Sequence, residues 1–397
     1  MNRANITRPF ASKTCLTLVV ALAGAPMSGC PGPTGTDGGG DDASDVPVIL
    51  DVGPQDVAPD LGPPDAGPPP TMVSDIGVGW DAACAVVDGG AVRCWGGTYG
   101  TVPVAIPGLD TAVQVAVGHG FACARRVDGS VWCWGDNFYG QLGDGTHTTR
   151  ATPAAVVGVA GAVSLSAGEL FACAALTDGT VKCWGQNSQA QLGNGSTAPA
   201  AAVVTVTDAS GIFAVTSGAN STCGRTTPGG MTCWGTNTGG FADGGSNRRM
   251  TAAMIPTLTG LLDVAAGDAH MCAVLADGTA KCWGFNASGQ VGDGTVFNRT
   301  GAVAVIAVAG ALQMTAGSNH TCVIVADGTV RCWGNDMVGQ LGDGQSAGSR
   351  STPAPALVVT GALQIAAHSQ RTCVRGAGAT VWCFGEGVTG RPAVVAW

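Results

Sequence analysis

The residues in this 397-residue chain whose type and spacing speak most directly of chemistry are its sixteen cysteines. Fourteen of them form seven pairs: Cys84 with Cys94, Cys123 with Cys133, Cys173 with Cys183, Cys223 with Cys233, Cys272 with Cys282, Cys322 with Cys332 and Cys373 with Cys383. Partners are always ten residues apart. Paired thiols can oxidise to a disulfide, ligate a metal or pack as small buried groups. Nine intervening residues do not match a zinc-finger or ribbon spacing, so oxidation is the favoured chemistry and buried free thiols the alternative. Other reactive types are scarce. Glu169 and Glu386 are the only glutamates and there are five histidines, which leaves few places for a paired-carboxylate or histidine-rich catalytic site. Nothing in the sequence calls for a cofactor or a metal ion.

The element that positions these thiols is a repeat. First cysteines follow one another at 39, 50, 50, 49, 50 and 51 residues, a period that signals a propeller or solenoid. Short β-rich runs alternate with glycine punctuation, which gives many strands and no convincing helix. An Asp-Gly between two such runs predicts a hairpin. The ten-residue spacing demands an odd register. A three-residue loop such as Val127-Asp128-Gly129, with Gly129 left-handed, sets Arg126 opposite Ser130 and Cys123 opposite Cys133 on a non-hydrogen-bonded pair. The Cα atoms of such a pair lie about 4.5 Å apart, within reach of a disulfide. One cross-strand disulfide per repeat is therefore expected.

Composition limits the partners. Charged residues are 11% of the chain and glycine contributes 64 positions. Residues 1–29 carry +3 and residues 31–71 carry −8, which leaves −4 of the total −9 for the rest. A weakly acidic repeat region lacks the basic field of a nucleic-acid binder, so no nucleic acid is expected as a partner. Arg3, Arg8 and Lys13 precede a short apolar run from Cys15 to Ala25 and then Met27-Ser28-Gly29-Cys30. This is the pattern of a cleaved export signal, too short to span a bilayer stably. Its last four residues resemble a bacterial lipobox, which implies lipidation at Cys30, membrane anchoring through that lipid and an outer-membrane location. Plain secretion after cleavage near Gly29 is the alternative. Residues 30–71, rich in Asp, Pro and Gly, read as a disordered acidic tether. The expected organisation is thus a signal at 1–29, a tether at 30–71 and a repeat domain at 72–397.

The fullest repeats place Ala316-Gly317-Ser318-Asn319-His320-Thr321-Cys322 before the hairpin, Cys332-Trp333-Gly334 after it, and then Gly339-Gln340-Leu341-Gly342-Asp343-Gly344. Trp95, Trp134, Trp184, Trp234, Trp283 and Trp333 follow the second cysteine, with Phe384 in the seventh copy, and a glycine stands five residues before the first cysteine in every copy but the last, where His368 replaces it. In these features the chain resembles the regulator of chromosome condensation repeat family. The resemblance covers about residues 72–397 and implies an all-β, seven-bladed β-propeller of about 50-residue repeats. The tryptophans then become inter-blade core. The Gly-Gln-Leu-Gly-Asp-Gly arm is whole at 140–145 and 339–344, altered at 190–195 and 289–294, eroded at 240–245 and missing from repeats one and seven. No Lys-Ser or Lys-Thr pair follows these glycines and each arm offers one aspartate, so the arms are turns rather than phosphate or calcium loops.

The segment before each first cysteine and the arm after each Trp-Gly share one end of the repeat, opposite the Asp-Gly turns, and sequence variation concentrates there. The candidate binding face comprises Trp80, Asp81, His119, Phe121, Glu169, Phe171, Asn220, Asp268, His270, Asn319, His320, Gln370 and Arg371. Variable loops on a rigid frame suit recognition. The expected function is a membrane-tethered extracytoplasmic module that binds an envelope or extracellular protein or a glycan. Two alternatives stand beside it. The founding eukaryotic member of the family implies guanine-nucleotide exchange on a small GTPase, and convergence of Glu169, Asp268 and His119 near the axis would suit a propeller enzyme.

Overall fold

The computed structural model describes residues 68–237, 241, 248–388 and 390–397. The expected export signal, Cys30 and the tether up to residue 67 lie outside them. Among the described residues the strands form seven four-stranded antiparallel sheets, each built from four consecutive strands. The second sheet is typical, with strands Ala112–Val117, Phe121–Arg126, Val131–Gly135 and Arg150–Ala155. Innermost strands of successive sheets touch, and Val73–Val78 of the first also meets Gln364–His368 of the last, which closes a ring. The molecule is a seven-bladed β-propeller, as the repeat implied. No helix among the described residues is long and apolar enough to cross a membrane.

The hairpin register follows the cysteine spacing. Cys123 pairs with Cys133, Arg126 N donates to Ser130 O at 2.9 Å, and Gly129 takes a φ of 78°. Asp128 Oδ1 accepts from Ser130 N at 2.9 Å and from its Oγ at 2.7 Å, which turns the chain and holds that carboxyl below its usual range.

All seven expected pairs are disulfides: Cys84 with Cys94, Cys123 with Cys133, Cys173 with Cys183, Cys223 with Cys233, Cys272 with Cys282, Cys322 with Cys332 and Cys373 with Cys383. Their Cα atoms lie 4.0 to 4.1 Å apart, a little closer than the roughly 4.5 Å expected of a non-hydrogen-bonded pair. The first cysteine of each pair stands on the second strand of its blade and the second on the third strand. There Cys94, Cys183, Cys233, Cys282 and Cys383 also face the outermost strand, opposite Val104, Val204, Ala253, Val303 and Ala393. All fourteen sulfurs belong to residues at most 3% exposed, so the staples sit within the core.

Two sets of side chains join blade to blade. The aromatic after each second cysteine is core: Trp134, Trp184, Trp234, Trp283, Trp333 and Phe384 are at most 1% exposed. In every blade but the fourth, which has Ala214 there, a polar residue nine positions before the first cysteine reaches the next blade's inner strand. Asp75 accepts from Val115 N at 2.7 Å, Gln114 both accepts from Leu165 N and donates to Leu165 O at 3.0 Å, and Asp263 accepts from Met314 N at 2.9 Å. These bonds satisfy strand groups that face a neighbouring blade rather than a ladder partner.

Among the described residues the ring closes without any exchange of strands between its ends. Gln364 of the last blade donates to Asp75 at 2.7 Å and accepts from Ile76 N at 3.2 Å, and Val73 N donates to Gly378 O at 2.9 Å. Residues 68–71, expected to belong to the tether, lie against the first blade. Pro68 O accepts from Arg93 Nη2 at 2.7 Å, and Thr71 donates through N and Oγ1 to Asp88 Oδ1 at 2.9 Å.

Candidate functional site

The turns before the first cysteines gather around the axis at one end of the propeller and are laced by backbone bonds. His119 N donates to Glu169 O at 2.8 Å, Ser318 N to Ser369 O at 2.8 Å, and Trp80 N to Gly118 O at 3.3 Å. The thirteen candidate residues of this end separate into a buried set and a set that faces out.

The buried set occupies the slot two residues before the cysteine. Phe121 and Phe171 are 2% and 0% exposed, and they fill the space beside their own blade's turn glycine. A Cβ on Gly118 would stand 2.1 Å from the Phe121 ring and 2.8 Å from Gly168 O of the next blade. The glycine therefore admits both the ring and the neighbouring turn. His270 and His320 fill the same slot and bond forward, Nε2 of His270 to Thr321 Oγ1 at 2.8 Å and Nε2 of His320 to Thr372 Oγ1 at 2.7 Å. Burial pushes their pKa values down to about 4 and about 3, so both are neutral bolts between blades at ordinary pH. Arg371 does the same across the closure. It is 8% exposed and donates through Nη1 to Asp81 O at 2.9 Å and through Nε to Glu386 O at 3.0 Å.

The outward set forms a mixed surface. Trp80 is 36% exposed and stacks on exposed His119, ring centroids 5.3 Å apart at 21°, while His368 meets its edge at 6.5 Å. Gln370 is exposed, whereas Asp81, Glu169 and Asp268 are half-buried. Burial and the charge of Asp268 raise the carboxyl of Glu169, and His119 opposes them. These three side chains thus share one electrostatic environment at the mouth, although no group of three or more metal-ligating side chains comes together among the described residues. Asn220 and Asn319 are tied down, each accepting from an arm glutamine, Gln191 and Gln290, at 3.1 Å. His368 lies at one end of the axial channel that all seven inner strands line. It is 9% exposed and its Nδ1 has no hydrogen-bond partner among the described residues. Its only signal in the sequence was the departure from the repeat's glycine.

The arms determine where this end is open. The whole and the altered arms alike cross to the next blade. The carbonyls of Gln141, Gln191 and Gln290 accept from Nε1 of Trp184, Trp234 and Trp333 at 2.9, 2.9 and 2.8 Å, and Leu142, Leu192 and Val291 share core clusters with those rings. The arm's aspartate holds its own outer strand, as Asp144 does by pairing with Arg150 at 2.5 Å. The first and seventh blades have no such arm, and each of the seams they should cover contains a cavity. Between blades one and two lies a space of about 380 Å³ bordered by Asp81, Tyr99, His119, Trp134 and Arg150, where Tyr99 Oη takes over as acceptor for Trp134 Nε1 at 2.8 Å. Between blades seven and one lies a space of about 440 Å³ bordered by Trp95, Arg371, Val388 and the last strand. Here Trp397 packs edge-on against Trp95 at 5.7 Å and donates Nε1 to Ala379 O at 2.7 Å. Neither Tyr99 nor Trp397 was legible as a substitute, because neither falls on the repeat.

A disulfide-stapled seven-bladed propeller with crossing Gly-Gln-Leu-Gly-Asp-Gly arms is a specific class, and comparison bears this out. The Regulator of chromosome condensation (RCC1) repeat model matches residues 112–141, 162–191, 262–290 and 312–340, and a second model of that repeat matches residues 128–175. Over these residues the chain carries repeats of the regulator of chromosome condensation family. No curated protein sequence matches it. Similar solved structures include human WBSCR16, at 15% identity and a TM-score of 0.67 over 75% of this chain and 85% of that one. Prp20p from Saccharomyces cerevisiae gives 19% and 0.68 over 76% and 82%. The CRINKLY WD40 ectodomain of the Arabidopsis thaliana receptor kinase ACR4 gives 18% and 0.50 over 82% and 99%. At these identities the likeness is one of fold.

Proposed function

We propose that this protein is an exported binding module, tethered to a bacterial envelope by a lipid on Cys30, which recognises a protein or glycan through the turn-and-arm end of the propeller around its first blade. The observation that carries this reading is the concentration of unfilled surface there. The two seams without arms flank blade one, and the exposed Trp80–His119 stack lies on that blade's border with blade two. Concave seams beside an exposed aromatic are common features of recognition surfaces. Seven buried disulfides favour an oxidising, extracytoplasmic compartment. Relatives of the same fold offer precedent, since Prp20p has binding properties towards Gsp1p and histones and the ACR4 propeller is an ectodomain. Nucleotide exchange remains the second reading, supported by the family resemblance alone.

The test is capture by crosslinking from envelope extracts, with a glycan array run in parallel. The wild-type chain is compared with a Trp80→Ala, His119→Ala variant and with a Val127→Ala control on the opposite end. Loss of the same partner in the first variant and retention in the second supports the reading. Equal capture by all three rejects the face. Labelling with a radioactive fatty acid that disappears in Cys30→Ala tests the tether.

A further inference from the structure

We propose that the cavity between blades seven and one is a docking site for a glycine-bounded turn of a partner protein, which seats one leucine-sized side chain beside Trp95 and offers a backbone carbonyl to the Trp95 indole. This inference rests on the reading of this end as a protein-binding face and names the chemistry its partner must present.

The sister seams show what the site is shaped for. In three of them an arm glutamine carbonyl accepts from the next blade's indole Nε1, and the residue after it packs on that ring. Leu341 packs on Phe384 in a fourth. The ring that should receive such an arm from blade seven is Trp95. The connection after that blade's third strand is only seven residues, 386–392, against fourteen, 136–149, in blade two. Trp95 is 8% exposed where its counterparts are at most 1%. Its Nε1 has no hydrogen-bond partner among the described residues, although the equivalent atom of Trp134 recruits Tyr99 Oη even without an arm. Trp397 covers one edge of the ring and leaves a space of about 440 Å³. The rest of the wall is backbone glycine and small aliphatic side chains, Gly96, Gly97, Val388 and Val394 among them, which suits an aliphatic insert. Arg371 also lines the wall and brings a cation to it, although the arm aspartates elsewhere, Asp144, Asp293 and Asp343, pair instead with an arginine of their own blade's outer strand.

The ring supplies its own probe. A peptide with the sequence of residues 139–146, Tyr-Gly-Gln-Leu-Gly-Asp-Gly-Thr, is titrated into the full-length oxidised chain labelled with nitrogen-15 at tryptophan. The Trp95 indole resonance is assigned by its loss in Trp95→Phe, and the unchanged indole signals of Trp184, Trp234 and Trp333 in that variant confirm its fold. The Trp95 N–H resonance should move to saturation while those of Trp184, Trp234 and Trp333, already bonded, stay still. The peptide carrying Leu142→Ala should bind at least about tenfold more weakly, the loss expected for one aliphatic side chain of that size. A Trp95 signal that does not move at millimolar peptide, or that moves equally with a scrambled peptide, overturns the proposal. Partner capture that still depends on Trp80 and His119 in that case leaves the binding face standing and removes only this site.

Discussion

Replacing Asp336 by asparagine should stabilise the protein near neutral pH and do nothing in acid. The second to fifth blades carry Asn137, Asn187, Asn237 and Asn286 at this position. Asn137 accepts from Leu142 N at 3.0 Å and uses its amide to donate to Asp144 Oδ1 at 3.3 Å and to the carbonyls of Thr146 and Thr148 at 3.0 and 3.2 Å. Asp336 keeps the first bond, from Leu341 N at 3.0 Å, but has no amide to offer, so its carboxyl faces that of Asp343. Burial, reinforced by Asp343 and opposed by the Leu341 N–H and Arg350, pushes its pKa up to about 6 from 3.8. A carboxyl raised in this way binds more protons folded than unfolded between those two values. Its cost to stability is therefore absent below 3.8, grows as the pH rises and is complete above about 6. Roughly two pKa units correspond to about 3 kcal/mol, and water at the edge of the arm screens this to about 1–2 kcal/mol. Urea unfolding of the oxidised protein should show Asp336→Asn more stable by that amount near neutrality and equal to wild type in strong acid. An equal gain at both pH values, or none at either, would show that the charge on Asp336 carries no such cost.

Three further outcomes follow from the blade interfaces. His320 and His270, held down to about 3 and 4 by burial, take up protons in the unfolded chain from its ordinary value near 6.5, so stability should fall as pH drops through that window. His320→Phe, the residue type of Phe171 in the same slot, should flatten the acid limb of a melting-temperature profile. Removing one staple with Cys322→Ala and Cys332→Ala should cost roughly 2–3 kcal/mol in urea without loss of the far-ultraviolet β signal. Arg371→Met removes one bond across the closure, to Asp81 O, and one within the last blade, to Glu386 O, each worth about 1.5 kcal/mol or more to a charged donor. Hydrogen exchange should quicken at least about tenfold in residues 73–87 and 371–385 and stay unchanged in the fifth blade.

The blade count, the hairpin register and the disulfide pairing were legible because each depends on separations of about ten residues that the repeat holds constant. Contacts between blades were not, since they join residues about fifty positions apart and leave no local pattern. Phe121, Phe171, His270 and His320 read as turn residues beside a variable loop. In the structure each begins a strand and points into the next blade. Arg371 looked exceptional and is so, but as the bond that closes the ring. The polar slot nine residues before the cysteine, filled by Asp75, Gln114, Asp263 and their counterparts in every blade but the fourth, changes residue type from blade to blade and therefore escaped notice. The absence of arms in repeats one and seven was visible. That it opens the two seams beside Trp80 required the arms' crossing to be seen.

Recognition is proposed to occur at the turn-and-arm end around blade one. A photo-crosslinking amino acid placed at Trp80 or Gln370 should trap a defined partner in intact envelopes, while the same group at Asp128 or Asp178, on the opposite end, should trap none. Adducts formed from Asp128 and Asp178 and not from Trp80 would contradict the claim and move the binding surface to the hairpin end.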